Sequence, residues 1–109
     1  MESYLDHHAA KLVRRFDAAS YVRLTELMNG HDVGRGRGGV AAGLARVRAR
    51  TLVAGITSDR LYAPEQQAEL AAGIPKAGPL HLIDSPYGHD GFLIEVAAVG
   101  ELLGELLAS

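Results

Sequence analysis

The chain has 109 residues and a formal net charge of −2, from 11 Lys and Arg against 13 Asp and Glu. Its length suits one small domain, and 48% hydrophobic with 22% charged residues is typical of a globular protein rather than a disordered one. The absence of cysteine excludes disulfides, thiolate metal ligands and thiol catalysis, and the near-neutral charge argues against binding to nucleic acid or to an acidic membrane surface.

The N-terminal segment MESYLDHHAAKLVRRFD carries no targeting pattern. It mixes both charge signs and lacks the apolar core of a signal peptide. Elsewhere no apolar run approaches the ~20 residues that a membrane-spanning helix needs. The sequence therefore predicts a soluble, cytoplasmic protein.

Two amphipathic helices are predicted at the N-terminus. Apolar residues recur over residues 2–16, and again over 18–28, at the spacing of one helical face. Asp17 or Ser20 is expected to cap the second helix. The Asn-Gly pair at 29–30 is expected to end it, because both residue types tolerate the left-handed backbone conformation.

The next segment is rich in glycine and arginine. Glycine is so frequent between Gly34 and Gly43 that we predict a loop, with a short helical turn at most in VAAGLAR. We interpret its arginines as a solvated face. The alternative is a site for an anionic group, because arginine forms bidentate hydrogen bonds with carboxylates and phosphates. The arginines concerned are Arg35, Arg37, Arg46, Arg48 and Arg50.

From residue 51 onward the pattern alternates between strands and helices. Residues 51–56 and 80–83 are short apolar runs typical of buried strands, and residues 64–73 and 96–107 are predicted helices. This order is typical of a parallel sheet with right-handed crossovers. Two strands alone leave unpaired sheet edges, so we predict that the segment is the tail of a larger α/β domain.

Two titratable residues follow the predicted strands. Asp59 comes after the first strand and His89 after the second, and functional groups of open α/β sheets gather at the carboxyl ends of the strands. A carboxylate there fixes the imidazole tautomer, so that the other ring nitrogen acts as a general base. The order Asp then His matches the last two members of a Ser…Asp…His triad. The alternatives are a turn aspartate and a solvated histidine.

No serine of the chain lies in a G-x-S-x-G nucleophile elbow. The nucleophile of such a triad is therefore not evident in these 109 residues. His7 and His8 are adjacent on a predicted helix and diverge around its axis, which makes them a poor metal pair. No metal site is predicted.

Several segments resemble the C-terminal part of homoserine O-acetyltransferases, most of all the actinobacterial branch. The matching motifs are RFDAASY, HDVGRG, SDRLYAP and YGHDGFL, and the resemblance runs nearly end to end. It implies the C-terminal part of an α/β-hydrolase fold with an incomplete sheet. Residues 1–50 would form lid-type helices and the Gly/Arg-rich loop, and residues 51–109 a C-terminal βαβα segment of the core.

The resemblance also implies roles for three residues. Asp59 is the triad carboxylate, His89 is the triad base, and Asp90 contacts the substrate at the ammonium group of L-homoserine. The implied reaction, in methionine biosynthesis, passes an acetyl group from acetyl-CoA through a serine to the homoserine hydroxyl. Acetyl-CoA is a co-substrate here, so no cofactor is expected, and the full-length enzyme is expected to be a homodimer.

Members of this family are considerably longer than the chain. Their nucleophilic serine and oxyanion-hole amides lie outside the matched part, so the 109 residues alone are expected to be inactive. Two alternatives stay open. The chain is a non-catalytic remnant or interaction module, or the scaffold uses another donor or acceptor, as in an O-succinyltransferase.

Overall fold

The computed structural model describes residues 2–108. The chain divides into two compact units, with the boundary between Asp32 and Val33. Across the described residues, no helix has both the length and the apolar character needed to cross a lipid bilayer. The family resemblance implies a different division, with lid-type helices and the Gly/Arg-rich loop over residues 1–50 and a segment of the core over residues 51–109. That division refers to the place of these segments in a larger fold, and it stays a prediction.

The first unit contains the two predicted helices, α1 (Glu2–Arg15) and α2 (Ala18–Asn29). Of the two candidate caps, Asp17 is the one that the structure uses. Its Oδ2 accepts a hydrogen bond from the backbone amide of Ser20 at 3.0 Å. That bond lowers the pKa of the Asp17 carboxyl below its ordinary value.

The predicted reason for the end of α2 is wrong. Gly30 has a φ of −82°, a right-handed conformation that any residue adopts. Its amide donates to the carbonyl oxygen of Glu26 at 2.9 Å, so the helical bonding pattern simply continues for one more residue. The freedom of glycine to take a positive φ is not used here.

The second unit opens with the glycine-rich loop and α3 (Val40–Leu44), the short helical turn that the sequence predicts. Gly36, Gly38 and Gly39 have positive φ angles between 68° and 100°. A Cβ atom at Gly34 would lie 2.3 Å from the carbonyl carbon of Gly39. The loop therefore needs glycine both for its conformation and for close backbone approach.

The arginines of this region are all exposed, which favours the interpretation as a solvated face. Arg37 and Arg50 donate hydrogen bonds to backbone carbonyl oxygens of the chain itself. Arg37 donates to Val33 at 3.0 Å, and Arg50 donates to Leu106 at 3.1 Å and to Glu105 at 3.2 Å.

A two-stranded parallel sheet lies at the centre of the second unit. It consists of β1 (Ala54–Ile56) and β2 (His81–Ile83), joined by α4 (Pro64–Gly73). The strand–helix–strand order and the parallel pairing are therefore confirmed. Both strands are shorter than predicted, because beyond them Thr51 and Ala77 form only an isolated bridge.

The chain after β2 is more helical than predicted. Between the predicted strand over 80–83 and the predicted helix over 96–107 lie a 3-10 turn, Gly88–Asp90, and α5 (Gly91–Ile94), which leads into α6 (Val96–Ala108). Gly88 reverses the chain with a φ of 60°. The buried apolar residues of this unit are Leu44, Val53, Ile56 and Ile83.

Candidate active site

A hydrogen bond joins the two candidate catalytic side chains. Nδ1 of His89 lies 2.8 Å from Oδ2 of Asp59. Asp59 follows β1, and His89 lies in the 3-10 turn after β2. Because the strands are parallel, both loops lie at the carboxyl end of the sheet. Asp59 is buried at 7% exposure, whereas the side chain of His89 is 39% exposed. Their catalytic roles stay predictions.

The Asp59 carboxylate is hydrogen-bonded through both oxygens. Oδ1 accepts from the backbone amides of Leu61 and Tyr62, each at 2.9 Å, and Oδ2 faces His89. The His89 hydrogen bond, followed by the Tyr62 amide, holds the pKa of Asp59 below its ordinary value against the opposing effect of burial. Asp59 is therefore ionised at neutral pH and fixed in orientation.

The imidazole of His89 is placed to act as a base. A neutral ring that donates from Nδ1 to Asp59 presents Nε2 as its free lone pair, a tautomer assigned from the hydrogen bond. No group that the structure describes forms a hydrogen bond with Nε2. The rings of Tyr62 and Phe92 lie 5.1 and 5.3 Å from the imidazole, measured between centroids, and restrict its tilt.

Two hydroxyl side chains connect the loops that carry the pair. Ser58 Oγ donates to the carbonyl oxygen of Ser85 at 2.5 Å and accepts from the amide of Gly88 at 2.8 Å. Thr57 Oγ1 donates to Oδ1 of Asp84 at 2.9 Å. Neither hydroxyl was among the site residues predicted from the sequence. A usable indication was present, because each strand ends in Ile and is followed within two residues by a small hydroxyl residue.

An apolar cavity of about 340 Å³ borders the pair. It is lined by β1, by apolar residues of α6, and by Asp59, Tyr62, His89 and Phe92. The amphipathic pattern of α6 predicted the helix but not the cavity, since a cavity depends on what the helix packs against. This arrangement gives an apolar group access to the imidazole of His89 and to the buried carboxylate beside it.

Asp90, the third predicted site residue, is exposed and directly follows His89 in the 3-10 turn. Its side chain forms no hydrogen bond with the described residues, so its predicted contact with substrate stays a prediction. Among residues 2–108, no three His, Asp or Glu side chains are grouped to hold a metal ion. The Ser58 hydroxyl donates across the loops to the carbonyl oxygen of Ser85, and the Ser85 hydroxyl accepts from the amide of Tyr87 in its own loop at 3.4 Å.

Similar proteins share one name. The chain is 65% identical over 108 residues to the homoserine O-acetyltransferase of Thermobifida fusca. This match covers 99% of the chain and 28% of that relative. It is 54% and 55% identical, each over 107 residues, to proteins of the same name from Mycobacterium sp. strain KMS and Mycobacterium tuberculosis H37Ra. These two matches cover 98% of the chain and 29% and 28% of the relatives. No protein-family model matches the chain.

Proposed function

The chain is homologous to a C-terminal portion of actinobacterial homoserine O-acetyltransferases, and on that premise we propose that it supplies the aspartate and histidine of an acyltransferase active site. The observation that carries the proposal is the 2.8 Å hydrogen bond between Asp59 Oδ2 and His89 Nδ1. The chain spans 28% of the length of its Thermobifida relative. The activity proposed is therefore that of a longer protein or assembly.

The proposed reaction has two steps. In the first, Nε2 of His89 takes the proton of a serine hydroxyl, the serine oxygen attacks the thioester carbonyl of acetyl-CoA, and the C–S bond breaks. The imidazolium returns the proton to the leaving sulfur, so free CoA and an acetyl-serine result. In the second, His89 takes the proton of the L-homoserine hydroxyl as its oxygen attacks the acetyl-serine. The serine oxygen leaves and recovers that proton.

Asp59 assists both steps electrostatically. Its ionised carboxylate holds Nδ1–H of His89 and stabilises the imidazolium that forms twice per turnover. Asp90, exposed beside His89, provides a carboxylate for the ammonium group of homoserine. No serine here lies in a nucleophile elbow, so the attacking serine comes from outside these 109 residues. The homodimer and the cytoplasmic location stay predictions.

A chimera tests the proposal. The complete chain replaces the matching portion of the Thermobifida fusca relative, and CoA release is measured with acetyl-CoA and L-homoserine. We expect an active chimera in which Asp59→Asn or His89→Ala lowers kcat by about 10⁴-fold. Asp6→Asn and His31→Ala change exposed residues of the first unit and serve as matched controls with unchanged kcat. Full activity of the His89→Ala chimera would exclude the proposed base.

The isolated chain provides a second test. We expect no homoserine-dependent release of CoA from the 109 residues alone, because they lack the proposed nucleophile. Turnover by the isolated chain that disappears in His89→Ala would show that the nucleophile lies within it.

A further inference from the structure

The side chain of Ser58 forms hydrogen bonds between the loop that carries Asp59 and the loop that carries His89. Its Oγ accepts a hydrogen bond from the amide of Gly88, the residue before His89, at 2.8 Å. The same hydroxyl donates to the carbonyl oxygen of Ser85 at 2.5 Å. Since Ser58 itself precedes Asp59, one hydroxyl links the chain at Asp59 to the chain at His89.

We propose that Ser58 is a positioning residue, whose hydroxyl holds the turn of His89 at the correct distance from Asp59 during acyl transfer. The inference rests on the proposed function and assigns to Ser58 no contact with substrate. The turn has only three residues, Gly88–Asp90, so the anchors at its ends set its orientation. The Ser58 hydroxyl anchors its first residue.

Loss of the hydroxyl would leave two polar groups without their partner. The Gly88 amide and the Ser85 carbonyl lie in a part-buried environment, where water replaces a lost hydrogen bond only in part. The turn would then shift to satisfy these groups. His89 moves with the turn, and a displacement of about 1 Å between reacting groups costs on the order of 10²-fold in rate.

Thr57 provides an internal comparison. Its hydroxyl also crosses between the loops, since it donates to Oδ1 of Asp84 at 2.9 Å and accepts from the amide of Ser85 at 3.4 Å. It forms no hydrogen bond with the Gly88–Asp90 turn or with the catalytic pair. Removal of this hydroxyl should weaken the loop pair without moving His89. Comparison of the two substitutions therefore distinguishes a loss of His89 positioning from a general loss of stability.

The experiment uses the active chimera. We expect Ser58→Ala to lower kcat by about 10- to 100-fold while the KM values for acetyl-CoA and L-homoserine stay unchanged. Ser58→Thr restores the hydroxyl at this half-buried position, so kcat should return close to the parent value. Thr57→Val should lower the melting temperature but leave kcat close to that of the parent.

Several results would overturn the inference. These are an unimpaired kcat in Ser58→Ala, an effect confined to KM, no rescue by Ser58→Thr, or an equal loss of kcat in Thr57→Val. Should Ser58→Ala fail to fold, Ser58→Cys gives the same comparison, since a thiol is a weak donor and acceptor, and an unimpaired kcat there also overturns it. An inactive His89→Ala with a fully active Ser58→Ala rejects only the positioning role. A fully active His89→Ala rejects the proposed function itself.

Discussion

The Asp59 carboxylate meets the requirements for orienting a catalytic imidazole. Its Oδ1 accepts hydrogen bonds from two backbone amides and its Oδ2 faces one ring nitrogen, so the protein itself fixes the orientation of the carboxylate. The imidazole of His89, in contrast, is partly exposed, and its hydrogen bond among the described residues is the one from Nδ1. The buried carboxylate therefore orients the exposed imidazole, which is the division of roles expected of a carboxylate–imidazole pair.

The lowered pKa of Asp59 predicts a pH-dependent contribution to stability. Because its folded pKa lies below the ordinary value of 3.8, the unfolded chain takes up the proton at a higher pH than the folded chain does. The stabilisation is therefore complete above the unfolded pKa and is lost as the pH falls through the folded pKa. Asp59→Asn should lower the melting temperature of the chimera at neutral pH, by an amount that shrinks toward zero in acid. A change in melting temperature that is equally large at neutral and at acidic pH would contradict this prediction.

Asp90 predicts a specific change in substrate affinity. We expect Asp90→Asn to raise the KM for L-homoserine by about 10- to 100-fold, the usual worth of a hydrogen bond to a charged group, with the KM for acetyl-CoA unchanged. Steady-state kinetics of the chimera measure both constants. Glu101→Gln removes an exposed carboxylate from α6 and is the matched control. A KM for homoserine that does not respond to Asp90→Asn would remove Asp90 from the binding site.

At the scale of the elements, the packing beside the site depends on how closely α5 approaches β1. Gly91 is the first residue of α5, and a Cβ atom there would lie 2.8 Å from Cγ2 of Ile56 and 3.1 Å from Oγ of Ser85. Ile56 is itself buried, so it has little room to move. The turn that carries His89 ends against this contact.

A pair of glycine substitutions tests this packing. Gly91→Ala should destabilise the chimera by about 1–3 kcal/mol through overpacking against Ile56. Gly100→Ala, in α6, meets nothing within 4 Å and should instead stabilise it by about 0.5–1 kcal/mol. Thermal or denaturant unfolding of both variants measures these changes in the free energy of unfolding. Equal effects from the two substitutions would refute the close approach of α5 to β1.

At the scale of the whole molecule, much apolar surface is left uncovered within the described residues. Each strand of the sheet has one unpaired edge there, and the core of the second unit has four buried apolar residues. Exposed apolar side chains occur on α1, α2 and α6. They include Tyr4, Leu5, Leu12, Val13, Tyr21, Leu24, Leu27, Met28, Val96, Leu103 and Leu107. Uncovered sheet edges and apolar faces favour association.

We therefore expect the 109 residues to self-associate when they are produced alone. Light scattering after gel filtration should give a mass above the 11.6 kDa of one chain, and a dye for exposed apolar surface should bind. The chimera, in which further residues are available to cover these faces, is the control and should bind less dye. A monomer with a sharp cooperative melt would contradict the prediction.

Elements with local determinants were predicted well from the sequence. The helix over 64–73 was predicted to the residue, because Pro64 suits a first helical position and Gly73 is followed by an extended residue. The motifs in SDRLYAP and YGHDGFL pointed to the family that the 54% to 65% identities then confirmed. The course of residues 88–94 was not predicted, because a loop becomes helical here only where it packs against Ile56 and Ser85.

The sequence by itself determined the helices α1 to α4 and α6, the parallel order of the strands and which carboxylate and imidazole follow them. These depend on periodicity, local hydrogen bonding and chain order, which neighbouring residues set. Only the tertiary structure decided the strand lengths, the cavity, the hydrogen bonds of Ser58 between the two loops and the 2.8 Å contact between Asp59 and His89. The two residues of that contact lie 30 positions apart along the chain. They meet because β1 pairs with β2, and that pairing depends on atoms that are remote in sequence.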